Sequence, residues 1–281
     1  MIAMIVEAFE PEFMRRALLG GLIAVVATSL VGTWVVLRGL AFLGDALAHG
    51  VIPGIALAVL WGFSPIIGAF IAAIVMSGLV SAVSARTTVR EDTAIGLLFV
   101  GMLALGIVIV SRANSFTTEV TSLLFGDVLG VTTADIRTQA IATAVVLVAS
   151  VVLYRPFLAL TFNRDKAQTL GMRPALAQTA LLALLALSIV ASFQAIGTLL
   201  LFGLLVGPPA TASLLVRRVP AIMATSVGFG VLAVVAGLVT SFHYDTAGGA
   251  TIAGYSVLQF FVVFAAREVR ESLRRPAPAV A

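Results

Sequence analysis

The chain has 281 residues, of which 60% are hydrophobic and 11% charged, and its mean hydropathy is +1.14. A water-soluble chain carries about 25% charged residues, so this composition excludes a soluble fold, a disordered chain and a collagen-like repeat; the absence of cysteine excludes a secreted disulfide scaffold. The net charge of +4 is spread over basic residues standing singly or in pairs between apolar runs, a pattern that orients membrane spans and offers no nucleic-acid-binding stripe.

A helix crossing the hydrocarbon layer needs about 20 mostly apolar residues. Seven stretches free of Asp, Glu, Lys and Arg reach or approach that length: 17–37, 46–85, 93–111, 138–154, 174–216, 219–244 and 246–266. The N-terminal residues make a poor signal peptide, because Glu7, Glu10 and Glu12 stand where positive charge is needed, so 17–37 is read as a retained span. The stretches 46–85 and 174–216 are twice too long for one crossing. The first turns at Trp61-Gly62-Phe63-Ser64-Pro65, and the second has softer candidates around Gln194-Ala195-Ile196-Gly197. The expected fold is therefore an all-α polytopic membrane protein with about nine transmembrane helices, forming one domain over 1–281.

Nine crossings put the termini on opposite sides. With the N-terminus outside, only Arg15, Arg16, Arg112 and Arg137 of the 17 basic residues face outward, as the positive-inside rule requires. The expected topology is N-out and C-in, in the cell membrane. Three segments are not spans. The outer loop 112–137 holds an apolar patch at Leu123–Leu129, interfacial or re-entrant. The loop 163–174 and the tail 267–281 are cytoplasmic.

An ionisable group inside the hydrocarbon is costly and marks a candidate site. The chain has two histidines, each beside an aspartate. Asp45 and His49, in Gly44-Asp45-Ala46-Leu47-Ala48-His49-Gly50, are i and i+4, one turn apart on one helix face, and offer a carboxylate and an imidazole to one divalent cation. His243 and Asp245, in Ser241-Phe242-His243-Tyr244-Asp245, are i and i+2, a spacing that suits a loop better than a helix. The plainer reading makes Asp45 a helix N-cap, His49 an interhelical contact and the second pair ordinary boundary residues. The two pairs form either one site or two stations on a path.

Other chemistry is absent. No Gly-x-x-x-x-Gly-Lys-Ser/Thr loop, His-Glu-x-x-His or credible Gly-x-Ser-x-Gly triad occurs, and Lys166 is the sole lysine. Glu91-Asp92-Thr93 opens the fourth span as a helix start. The 163–174 loop has the length of a short helix stopped by Gly171 before Pro174, either a dock for a soluble partner or a plain linker.

In order along the chain, Gly44-Asp45-Ala46-Leu47-Ala48-His49 with Pro53-Gly54, Glu91-Asp92-Thr93-Ala94-Ile95-Gly96, Leu123-Leu124-Phe125-Gly126-Asp127, Ala167…Gly171 and Leu205-Val206-Gly207-Pro208-Pro209-Ala210-Thr211-Ala212 resemble the permease subunits of ABC importers for manganese, zinc and iron. The resemblance implies a fold similar to the vitamin B12 and siderophore importers, with one fewer N-terminal span. It implies a second permease copy in a homodimer, a cytoplasmic ATPase subunit that carries the ATP, and an extracytoplasmic metal-binding protein. The chain itself would catalyse nothing and hold no permanent cofactor, its cargo being manganese, zinc or iron. Asp45 and His49 would line the pathway with His243 and Asp245, and Asp165, Lys166, Ala167, Leu170 and Gly171 would couple to the ATPase. Two features depart from the family pattern: the histidine at 243 is not universal, and Pro208-Pro209 doubles a more usual single proline. The rival readings are a secondary metal transporter or channel without an ATPase, and a membrane metalloenzyme with Asp45, His49 and His243 around one zinc.

Overall fold

In a computed structural model, the structure describes residues 2–86, 91–111, 130–162, 168 and 172–274. Among these every regular element is a helix: α1 (Ile2–Ala8), α2 (Glu12–Leu37), α3 (Ala41–Gly50), α4 (Ile52–Trp61), α5 (Pro65–Arg86), α6 (Glu91–Ser111), α7 (Thr133–Val152), α8 (Tyr154–Phe162), α9 (Pro174–Leu215), α10 (Val219–Tyr244) and α11 (Gly248–Arg274). Among the described residues eight helices are long and apolar enough to cross a membrane, with α3 and α4 counting together as Ala41–Trp61. Helices satisfy their own backbone, which is why an uncharged stretch in lipid has no cheaper form.

The boundaries follow local chemistry. Proline, whose missing N–H costs nothing in a first turn, opens α5 and α9 and stands second in α10 and α4, at Pro220 and Pro53. Gly62 ends α4 with φ +73°, placing the turn within the expected Trp61–Pro65 segment. Thr132 caps α7 in a reciprocal box with Asp135, so that helix starts at Thr133, before the uncharged stretch begins. The second span likewise starts at Ala41, because Gly39 (φ +69°) turns the chain sharply after α2. The tail stays helical as far as Arg274.

The helical element α9 extends over 42 residues, including 194–197, with Pro208 and Pro209 inside it. A straight rod of that length would measure about 63 Å, roughly twice the hydrocarbon thickness. The contacts bend it back on itself. Ala177 and Leu181 share a core with Trp34, Phe157 and Leu160. Ser192 meets Gln139, which lies beside Gly20 of α2. Leu205 and Pro209 then lie against Gly32, back toward the Trp34 end. The stretches Pro174–Ser192 and Leu200–Leu215 thus run in opposite directions.

Small residues set the closest contacts, as lipid-embedded helices favour. A Cβ on Gly54 would lie 2.1 Å from the Gly68 carbonyl, and one on Gly68 2.2 Å from the Gly54 carbonyl, so α4 and α5 touch backbone to backbone. Gly203 and Gly207, one turn apart on α9, meet Ala253 and Ser256 of α11, and the Ser256 hydroxyl donates to the Gly203 carbonyl at 2.8 Å. Pro209 has no N–H to give the Leu205 carbonyl. That carbonyl is the atom against which Gly32 packs.

Candidate metal pathway

Asp45 and His49 lie inside α3, on one side of it, and Asp45 is not an N-cap. The His49 Nδ1 stands 3.1 Å from the Asp45 carbonyl oxygen and 3.5 Å from its carboxylate. With Nδ1–H donating to that carbonyl one turn back, the tautomer leaves the Nε2 lone pair to a ligand, the usual second contact of a metal-binding histidine. Both side chains are about a quarter to a third exposed. The Phe99 ring of α6 stands edge-on to the imidazole, 5.9 Å between centroids, and to Phe42 at 5.6 Å. Below the pair, Leu205 fills the space left by Gly44.

The second pair forms differently from its i and i+2 spacing. His243 is in the last turn of α10, and Asp245 caps that helix in the left-handed region at φ 49°, ψ 39°. The helix continues to Tyr244 because aspartate tolerates this conformation and can end it there. His243 repeats the arrangement of His49. Its Nδ1 lies 2.9 Å from the Val239 carbonyl, and its buried Nε2 has no partner among the described residues. Asp245 opens onto a cavity of about 320 Å³ with Phe13, Met14 and Ser241.

The fold keeps the two pairs apart. Gly44 and Gly32 clasp Leu205 from two sides, whereas Ser241 and Asp245 share their cavity with Met14. Gly32 and Met14 are separated on α2 by about 27 Å of helix. Among the described residues no three His, Cys, Asp or Glu side chains gather as a metal cage, so Asp45, His49 and His243 do not surround one zinc here. Asp165, Lys166, Ala167, Leu170 and Gly171 lie outside the described residues, as does the apolar patch at 123–129. Sequence reasoning passed over Gly32 and read Leu205 and Pro209 only as part of a motif, not as the support behind α3; a proline in a span followed back four residues to its orphaned carbonyl was the available signal.

Residues 10–267 match the family model described as "ABC 3 transport family". The manganese transport system membrane protein MntC of Halalkalibacterium halodurans is 34% identical over 90% of this chain and 87% of its own length. The chelated iron transport system membrane protein YfeD of Yersinia pestis is 32% identical over 94% and 88%. Among solved structures, PsaBC from Streptococcus pneumoniae in complex with Fab superimposes with a TM-score of 0.85 at 28% identity, covering 98% of this chain and 100% of that one.

Proposed function

The chain belongs to the ABC 3 transport family, and from that premise we propose that it is the permease subunit of an ATP-driven importer of divalent metal ions, with manganese favoured over zinc and iron. It is a multi-pass protein of the cell membrane. The observation that carries the reading is the pair on α3: Asp45 and His49 are the only ionisable side chains of the Ala41–Trp61 span, one turn apart, with the imidazole oriented by its own helix.

A carboxylate oxygen and an imidazole nitrogen without thiolate suit Mn(II), Fe(II) or Zn(II). Two ligands bind weakly enough to release, as conduction requires. His243 and Asp245 form a second station some helical turns away, at the outer end in the N-out orientation. The manganese transport relative supports manganese as cargo, and the chelated-iron relative supports iron. ATP binding by a separate cytoplasmic subunit moves the 163–174 loop through Asp165, Lys166, Ala167, Leu170 and Gly171, and the spans rock to open the cavity to each side in turn. A second copy completes the pore, and an extracytoplasmic binding protein delivers the ion. ATP hydrolysis belongs to the partner, and this chain supplies path and motion.

The test is uptake of radiolabelled manganese by cells carrying the complete importer. Asp45→Ala and His49→Ala each abolish most uptake while the protein remains in the membrane. Unchanged uptake by both variants refutes the site. Competition by unlabelled zinc and iron ranks the cargo.

A further inference from the structure

At the end of the bundle away from Trp61, a cavity of about 430 Å³ opens between the end of α9 and the last three turns of α11. We propose that it binds the phosphodiester headgroup of an anionic phospholipid. Its polar wall carries Arg217, Arg267 and Arg270 against a single acid, Glu271, and its apolar wall is Leu214, Leu215 and Val263.

Arg267 builds the cavity. Its Nε donates to Glu271 at 2.7 Å and its Nη1 to the Leu214 carbonyl at 3.3 Å, which ties α11 to the end of α9. That clamp uses the local carboxylate. Arg217 and Arg270 remain as two exposed guanidinium groups, and among the described residues no carboxylate pairs with either. A guanidinium fork matches a phosphate's paired oxygens better than any other side chain does.

Depth selects a lipid as the source of the phosphate. Immediately toward the bundle centre α11 exposes Phe261, Val262 and Phe264, and its charged residues begin at Arg267. The cavity therefore straddles the border where hydrocarbon gives way to headgroups, with acyl chains able to run up the exposed aromatic face. A basic pocket between helix ends at that level attracts anionic headgroups by about fivefold per arginine. A zwitterionic headgroup brings an ammonium group that the same arginines repel.

The test uses the full-length chain purified in detergent and native mass spectrometry of retained lipid. The probes are phosphatidylglycerol and phosphatidylcholine of equal chain length, with inorganic phosphate as competitor. We expect retention of phosphatidylglycerol over phosphatidylcholine, weakened about fivefold by Arg217→Ala or Arg270→Ala and about thirtyfold by the double variant. Arg137→Ala, at the opposite end, leaves retention unchanged. Both substituted side chains are exposed, so the variants fold and elute as wild type does. Equal retention of the two lipids, or undiminished phosphatidylglycerol on the double variant, overturns the proposal. Displacement of the lipid by equimolar inorganic phosphate also overturns it and assigns the cavity to the free ion.

Discussion

Adding one methyl group at Gly32 is the sharpest test of how the bundle holds its pathway helix. A Cβ there would lie 2.0 Å from the Leu205 carbonyl oxygen and 3.2 Å from the Pro209 ring. Ordinary contact begins near 3.4 Å, so α2 and the second arm of α9 must separate by about 1.4 Å. The obstructing atom is backbone and cannot rotate away. Overpacking of this kind costs about 1–3 kcal/mol, which for a domain of this size lowers the melting midpoint by roughly 3–10 °C. Gly32→Ala is compared with Gly101→Ala, where an added Cβ meets nothing within 4 Å and alanine gains helix propensity. Intrinsic fluorescence melts in detergent, run at one scan rate, report both. We expect Gly32→Ala to fall and Gly101→Ala to stay level or rise. Leu205 also fills the space beside Gly44, so its displacement reaches the residue next to Asp45 and metal uptake falls with stability. A Gly32→Ala protein that melts with wild type refutes the close approach.

Two further outcomes follow from local geometry. Thr132→Ala removes the hydroxyl that accepts from the Asp135 N–H at 3.2 Å, while the Asp135 carboxylate keeps the backbone N–H of residue 132. The start of α7 loses about 1 kcal/mol; amide exchange at 133–136 speeds up several-fold, and unaltered exchange would contradict the cap. Trp34 is fully buried, with ring centroids 5.6 Å from Tyr154 and 5.7 Å from Phe157, but its Nε1 has no partner among the described residues. Trp34→Phe keeps the edge contacts and removes an orphaned donor worth about 1–3 kcal/mol, so its net cost stays within about 1 kcal/mol. A melting loss beyond about 10 °C would mean that the indole N–H is bonded.

The spans were legible because exclusion of charge from lipid acts along whole helices. Their starts were less so, since Ala41 and Thr133 begin helices through a turn glycine and a capping box that hydropathy does not register. The Asp45–His49 face was readable from one-turn spacing on a helix that does form. The His243–Asp245 pair was not, because a single left-handed aspartate carries the helix further than the spacing suggests. Separation of the two pairs depends on which helices α2 lies between, a tertiary matter that short-range pattern cannot contain. The same holds for Gly54 against Gly68, whose mutual contact joins residues 14 positions apart in the sequence.

The reversal inside α9 also constrains how the protein enters the bilayer. Pro208 and Pro209 remove two internal hydrogen bonds from its second arm, which leaves that arm a poorer independent span. Presented alone to the insertion machinery, it is a weak stop. Its partner arm Pro174–Ser192 is strongly apolar. The two arms must therefore partition together as one hairpin, and the Gly203–Gly207 face stays without its packing partner until α11 has been synthesised. Biogenesis of the central support thus waits on the last helix of the chain.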